Sequence, residues 1–133
     1  MIQVVDASAT IACLLEEGPR GDWCRKELTA GELIAPHLLP LETAGVIRRD
    51  ESHKVIDPSV AATALRDLRD LDIELVPFEA LADRVWDLRH NLTIYDACYV
   101  AAAELFECRL VTVDRRMANA PGIRCKVTVA PAS

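Results

Sequence analysis

Zinc-type ligand spacing is missing from this sequence. It contains no C-x-x-C and no H-x-x-x-H, and its three histidines, His37, His53 and His90, stand apart. That argues against a zinc site. The five cysteines, Cys13, Cys24, Cys98, Cys108 and Cys125, are odd in number. Cys13 and Cys98 lie inside apolar helical stretches, where a reduced cysteine behaves as a small hydrophobe. A disulfide framework is therefore not expected, and a cytoplasmic, reducing environment is. No run approaches the ~20 apolar residues needed to cross a bilayer, so no membrane partner is expected. The first apolar run has no basic flank and carries Asp6, unlike a signal peptide. Repeats and low-complexity linkers are absent as well.

Aromatic residues make up only 5% of the chain, which leaves no platform for stacking bases. Trp23 and Trp86 are the two candidates for such stacking, but Trp86, beside Val85 on an amphipathic helix, reads as core. Positive charge is also in deficit. Fifteen Lys and Arg against 21 Asp and Glu give a net charge of −6 and a pI of about 5.0. This excludes a broad basic surface that coats nucleic acid. It does not exclude a nuclease, because carboxylates gathered around divalent cations make a chain look acidic when the metal is left out of the sum.

What is present fits one domain over residues 1–133, with an ordinary globular composition of 51% hydrophobic and 27% charged residues. Short apolar runs at 2–5, 33–35, 73–76, 110–113 and 126–129 read as buried strands. Helices are expected between them. Ser8 would cap one that runs to about Glu17, before the Gly18-Pro19 break. Further helices cover about 21–30, from near Pro40 to about Glu51, from the Asp57-Pro58 start signal onward, about 81–88, and 93–106. In the helix after Pro58, Ala61, Ala64, Leu65, Leu68 and Leu71 form the apolar stripe, and Arg66, Asp67, Arg69 and Asp70 face solvent. Strands alternating with helices predict an α/β fold: a three-layer α/β/α, Rossmann-like domain with a parallel central sheet. In such sheets ligands bind beyond the carboxyl ends of the strands, where the strand order reverses.

That rule selects four acids. Asp6 ends the first strand and Asp114 the fourth, so both enter one crevice if these strands are neighbours. A helix cap or turn is the plainer role for either alone. Glu42 has Leu38 and Val46 at i±4, so it sits in the apolar stripe of its own helix, where an unpaired carboxylate is costly. The alternative is a glutamate at the stripe's edge, reaching solvent or a local arginine. Asp96 repeats the pattern between Leu92 and Val100. Thr93-Ile94-Tyr95-Asp96 also fits a capping box, and the two roles are compatible. Four hard-oxygen acids with no lysine among them suit Mg²⁺ or Mn²⁺. The chemistry that follows is phosphodiester hydrolysis. Ser8 and Thr112 carry hydroxyls beside two of the acids, in supporting positions.

The segments V-V-D-A-S at 4–8, L-E-T-A at 41–44, L-T-x-Y-D-A-x-Y-V-A-A-A at 92–103 and L-V-T-V-D-R-R at 110–116 together resemble a PIN domain. Their length, order and spacing are similar to the VapC-type ribonuclease toxins of type II toxin–antitoxin pairs. The resemblance implies a metal-dependent endoribonuclease using Mg²⁺, with Mn²⁺ as substitute, and assigns its acidic ligands to Asp6, Glu42, Asp96 and Asp114. Some relatives carry a further acid just after the fourth, where this chain has Arg115, Arg116 and Met117. The resemblance also implies a homodimer and a cognate antitoxin that blocks the site. RNA must still reach an acidic pocket, and Arg48, Arg49, Arg115 and Arg116 are the candidates for its rim. Two other readings compete. A phosphoryl-accepting domain, receiver-like or aspartyl-phosphatase-like, needs a partner acid and a lysine near the phosphoryl group. The first strand offers no D-x-D, and Lys126 sits at the wrong end of a late strand. The third reading is a non-catalytic, partner-binding module.

Overall fold

A computed structural model describes residues 1–133. The chain begins with strand β1 (Ile2–Val5), whose last three residues are buried, followed by helices α1 (Ala7–Leu15) and α2 (Pro19–Leu28). Strand β2 (Glu32–Pro36) leads into α3 (Leu38–Ser52) and α4 (Pro58–Asp70). Strand β3 (Ile73–Val76) leads through a short 3-10 turn into α5 (Ala82–Asp87) and α6 (Ile94–Leu105). Strand β4 (Arg109–Thr112), the single-turn helix α7 (Arg115–Ala118) and strand β5 (Val127–Val129) complete the order.

All strand pairs are parallel, in the order β3-β2-β1-β4-β5. Strands β2 and β3 extend to one side of β1, and β4 and β5 to the other. Right-handed crossovers then place α1 to α4 on one face and α5 and α6 on the other. The packing agrees: α1 touches α2, α3 and α4, whereas α6 packs on β1, β2 and β4 and is covered by α5. The parallel α/β/α sandwich expected from the sequence is the fold observed, and β1 and β4, which lead into Asp6 and Asp114, are neighbours. The reversal of strand order lies between them, with Val5 in register with Val111.

The core is built from small and branched residues. Val4, Val5, Leu110 and Val111 of the two central strands are fully buried, and Ala97 to Ala103 of α6 lie against them. The run of alanines lets α6 approach the sheet closely. Three expectations are corrected. The cap of α1 is Asp6, whose carboxylate accepts from the Ala9 amide, and Ser8 lies inside the helix. An acid two residues earlier competes better for the free amides of a first turn than the hydroxyl does. Helix α3 starts at Leu38 with Pro40 in its first turn, near the start as expected, where proline is tolerated because no amide is needed. Leu65 is 52% exposed, and Trp86 is 61% exposed instead of being core. On a helix, Trp86 is rotated about 100° from its buried neighbour Val85, and its ring instead lies 4.6 Å beneath the Arg89 guanidinium.

Candidate functional site

The carboxyl ends of the strands deliver the polar groups. Asp6 follows β1 and caps α1; it is only 7% exposed. Ser8 Oγ donates to its Oδ1 at 2.6 Å, Ala9 N donates to the same oxygen at 2.9 Å, and Thr112 Oγ1 donates to Oδ2. The two hydroxyls are themselves 3.2 Å apart. Behind them the backbone closes the arrangement, with Val113 N donating to Ser8 Oγ at 3.1 Å and Asp114 N to Thr112 Oγ1 at 3.0 Å. Asp6 thus has partners but no cation. Burial outweighs the hydrogen bonds and raises its pKa from 3.8 to about 6.

Asp96 lies in the first turn of α6, where Thr93 caps the helix by accepting from Asp96 N at 3.1 Å. The capping role and a place at the site hold together. Burial raises the pKa of Asp96; the Thr93 hydroxyl opposes this and the Asp114 charge adds to it. The Asp96 charge in turn adds to the upward push on Asp6. Asp114 caps α7 through Arg116 N at 2.9 Å. Its carboxylate is clasped by the Arg116 guanidinium, Nε to Oδ1 at 3.1 Å and Nη2 to Oδ2 at 2.8 Å. That clasp holds the Asp114 pKa below its usual value. Asp96, Asp114 and Arg116 line one open cavity of about 370 Å³, together with Asn91, Thr93 and Asn119.

Glu42 lies in the second turn of α3, half-buried. Its Oε1 accepts from the buried hydroxyl of Tyr99 on α6 at 2.8 Å, a contact the sequence reading did not foresee. The signal available was a tyrosine one turn beyond Asp96 on an otherwise apolar face. The Tyr99 hydroxyl also feels the charge of Asp6, which ties Glu42 to the same region. The structure therefore brings the four acids to one edge of the sheet. As the side chains lie, no three of them form a metal-ligating cluster.

Of the four arginines expected at the rim, only Arg116 contacts an acid of the site. Arg115 is exposed beside it. Arg48 and Arg49 project from the later turns of α3, where Arg49 lies a loose 3.8 Å from Asp50. Lys126 precedes β5 at the amino edge of the sheet, so no lysine serves the carboxyl edge in the way a phosphoryl-accepting site requires.

Residues 4–123 match the PIN domain family. The chain belongs to that family. Within it, the chain is similar to the VapC proteins. A VapC ribonuclease of Mycobacterium bovis is 38% identical over 128 residues, covering 96% of this chain and 98% of the relative. Ribonuclease VapC1 of Mycobacterium tuberculosis is 38% identical over 125 residues, covering 93% and 94%. Among solved structures, Mycobacterium tuberculosis VapC20, a sarcin–ricin loop cleaving toxin, superposes with a TM-score of 0.70 at 16% identity, covering 97% of this chain and 99% of that one. VapBC2 of Rickettsia felis, bound to a DNA fragment from its promoter, superposes with a TM-score of 0.70 at 11% identity, covering 98% and 100%.

Proposed function

We propose that this VapC-type PIN ribonuclease, the toxin of a type II toxin–antitoxin pair, hydrolyses RNA phosphodiester bonds at the carboxyl edge of its sheet, with Mg²⁺ or Mn²⁺ held by Asp6, Glu42, Asp96 and Asp114. One observation carries the reading: four acids gather over adjacent strand ends, and the buried one, Asp6, is met only by neutral donors. A carboxylate desolvated this far, with like charges beside it, is completed by a cation. The donor set is all oxygen, which suits a hard divalent ion better than zinc.

Held by these four acids, such a cation would supply activation of a water and charge stabilisation at the departing oxygen of the phosphodiester. The chain's own residues prepare that site. Ser8 and Thr112 fix both oxygens of Asp6, so its carboxylate is oriented before any ligand arrives. Asp96 stands at the amino end of α6, where the helix dipole favours its ionised form. Arg116, with 88% of its side chain exposed, exchanges Asp114 for a phosphate at little cost, since solvent screens an exposed ion pair. Its planar group suits two-pronged phosphate contact, with Arg115 beside it.

The kinship with VapC proteins supports a cognate antitoxin as partner; a homodimer as the working assembly is part of the proposal. No helix is long and apolar enough to cross a membrane; the free cysteines suit a cytoplasmic protein.

The test is cleavage of total cellular RNA by the purified protein, with and without chelator, beside the Asp96→Asn variant. Cleavage that needs Mg²⁺ or Mn²⁺ and is lost in the variant supports the proposal. Undiminished cleavage by a folded Asp96→Asn protein contradicts it.

A further inference from the structure

Glu42 is the least supported of the four acids by its own element. Its helical neighbours at i±4, Leu38 and Val46, offer no polar group, and no arginine or lysine pairs with it. Its one side-chain partner is Tyr99, 57 residues away on α6. The Tyr99 ring is 1% exposed and packed among the core residues of α6, so the phenol hydroxyl has no access to a water layer and a fixed direction. At 2.8 Å it donates to Oε1, leaving Oε2 without a donor from the chain.

We propose that Tyr99 is a positioning residue for Glu42: its hydroxyl holds the carboxylate over the strand ends in the orientation that receives a divalent cation. This rests on the reading of Glu42 as a metal ligand. The choice of a phenol is physically informative. A free glutamate loses up to about 2 kcal/mol of rotamer freedom when it is fixed, and a ligand already fixed does not bear that cost on binding. An arginine or lysine in place of Tyr99 would fix Glu42 too, but would also neutralise it and compete with the cation. A phenol directs the carboxylate and leaves its charge intact. Tyr99 also lies one turn after Asp96. Helix α6 thus presents one acid directly and fixes a second, from the opposite side of the sheet, through its next turn.

The experiment is calorimetric titration of Mn²⁺ into the intact protein and into Tyr99→Phe, Glu42→Gln and the double variant, with near-ultraviolet circular dichroism of each apo form. Phenylalanine keeps the buried ring and removes only the donor. The expected result is a native apo spectrum for Tyr99→Phe, Mn²⁺ affinity reduced about 10- to 100-fold as for other partners of ligating groups, and a double variant no weaker than Glu42→Gln. Affinity for Tyr99→Phe within about twofold of the parent, well short of that 10- to 100-fold loss, while Glu42→Gln binds weakly, would overturn the positioning role and leave the metal site standing. Parental affinity in both single variants would remove Glu42 from the site along with Tyr99. Additive losses in the double variant, or a non-native spectrum for Tyr99→Phe, would show that the hydroxyl acts elsewhere and would also overturn the proposal.

Discussion

The two ends of the central strands solve the same problem in different ways. At the amino end, Gln3 is fully buried beside Arg109 and Glu27. Arg109 donates to Gln3 Oε1 from Nε at 3.1 Å and from Nη2 at 2.6 Å, and it pairs with Glu27. Gln3 Nε2 in turn donates to the Glu27 carbonyl. The partly buried charge there, Arg109, meets its opposite, Glu27, within the chain. At the carboxyl end, Asp6 is buried with three neutral donors, Asp96 and Asp114 face a common cavity, and the one cation in contact, Arg116, is almost wholly exposed. At the amino end the partly buried arginine is paired; at the carboxyl end the buried acid is not, and the proposed function takes that deficit as the place a cation fills.

The sharpest way to break this contrast is at the acids themselves. Asp96→Asn is expected to lower RNA cleavage by about 100-fold or more, a loss typical of removing a preorganised charged or polar group from a catalytic site, with the melting curve of the apo protein little changed. Gel or fluorescence assays of RNA cleavage check it. At the amino end the reverse is expected. Arg109→Met leaves Glu27 and Gln3 without their partner, and costs about 2 kcal/mol of stability, discounted from the larger figure for deeply buried pairs because these side chains are partly exposed. Urea unfolding reads that loss, and cleavage activity should be unaffected.

Smaller effects sharpen the comparison through pH. The Asp6 pKa is raised in the folded protein, so its ionised form destabilises the apo fold. That penalty is full above about pH 6, shrinks as pH falls towards 3.8, and is gone below it. Asp6→Asn should therefore stabilise the apo protein by about 1–2 kcal/mol at pH 7.5, and the gain should vanish near pH 4, as followed by thermal melts across that range. The proton that stabilises Asp6 also competes with metal. With a pKa of about 6, Mn²⁺ affinity at pH 5 should be about tenfold below that at pH 7.5, since ligands must ionise to bind. The smallest effect belongs to Arg116. Replacing it with alanine frees Asp114 and should tighten Mn²⁺ binding by about two- to fivefold, the scale of an exposed ion pair.

Much of this was legible in the residues, for reasons that particular elements make plain. Val4-Val5 and Leu110-Val111 are β-branched or apolar runs ended by an acid, and such runs are buried strands in a parallel sheet. Helix α4 is announced by Asp57-Pro58 and a regular stripe. Helix α7 is not announced, because a single turn is too short to show a period. A cap at Asp6 was legible as one of two readings, because Ser8 competes for the same role on local chemistry alone. The Asp114–Arg116 clasp is local in sequence, yet whether an arginine two residues on faces its acid or solvent depends on the turn between them. Glu42 and Tyr99 are separated by 57 residues, and no local pattern reports a contact of that kind. Trp86 was misplaced because the burial of one helical residue says little about the next.

The central claim is that the carboxyl edge, where Asp6 meets only neutral donors from the chain, accepts a divalent cation. Anomalous diffraction from crystals grown with Mn²⁺ tests it directly. The account places an anomalous peak within coordination distance of Asp6 and Asp96, with Asp114 turned out of the Arg116 clasp. Occupied Mn²⁺ sites elsewhere on the surface, with the Asp6 edge empty and the clasp intact, would contradict it.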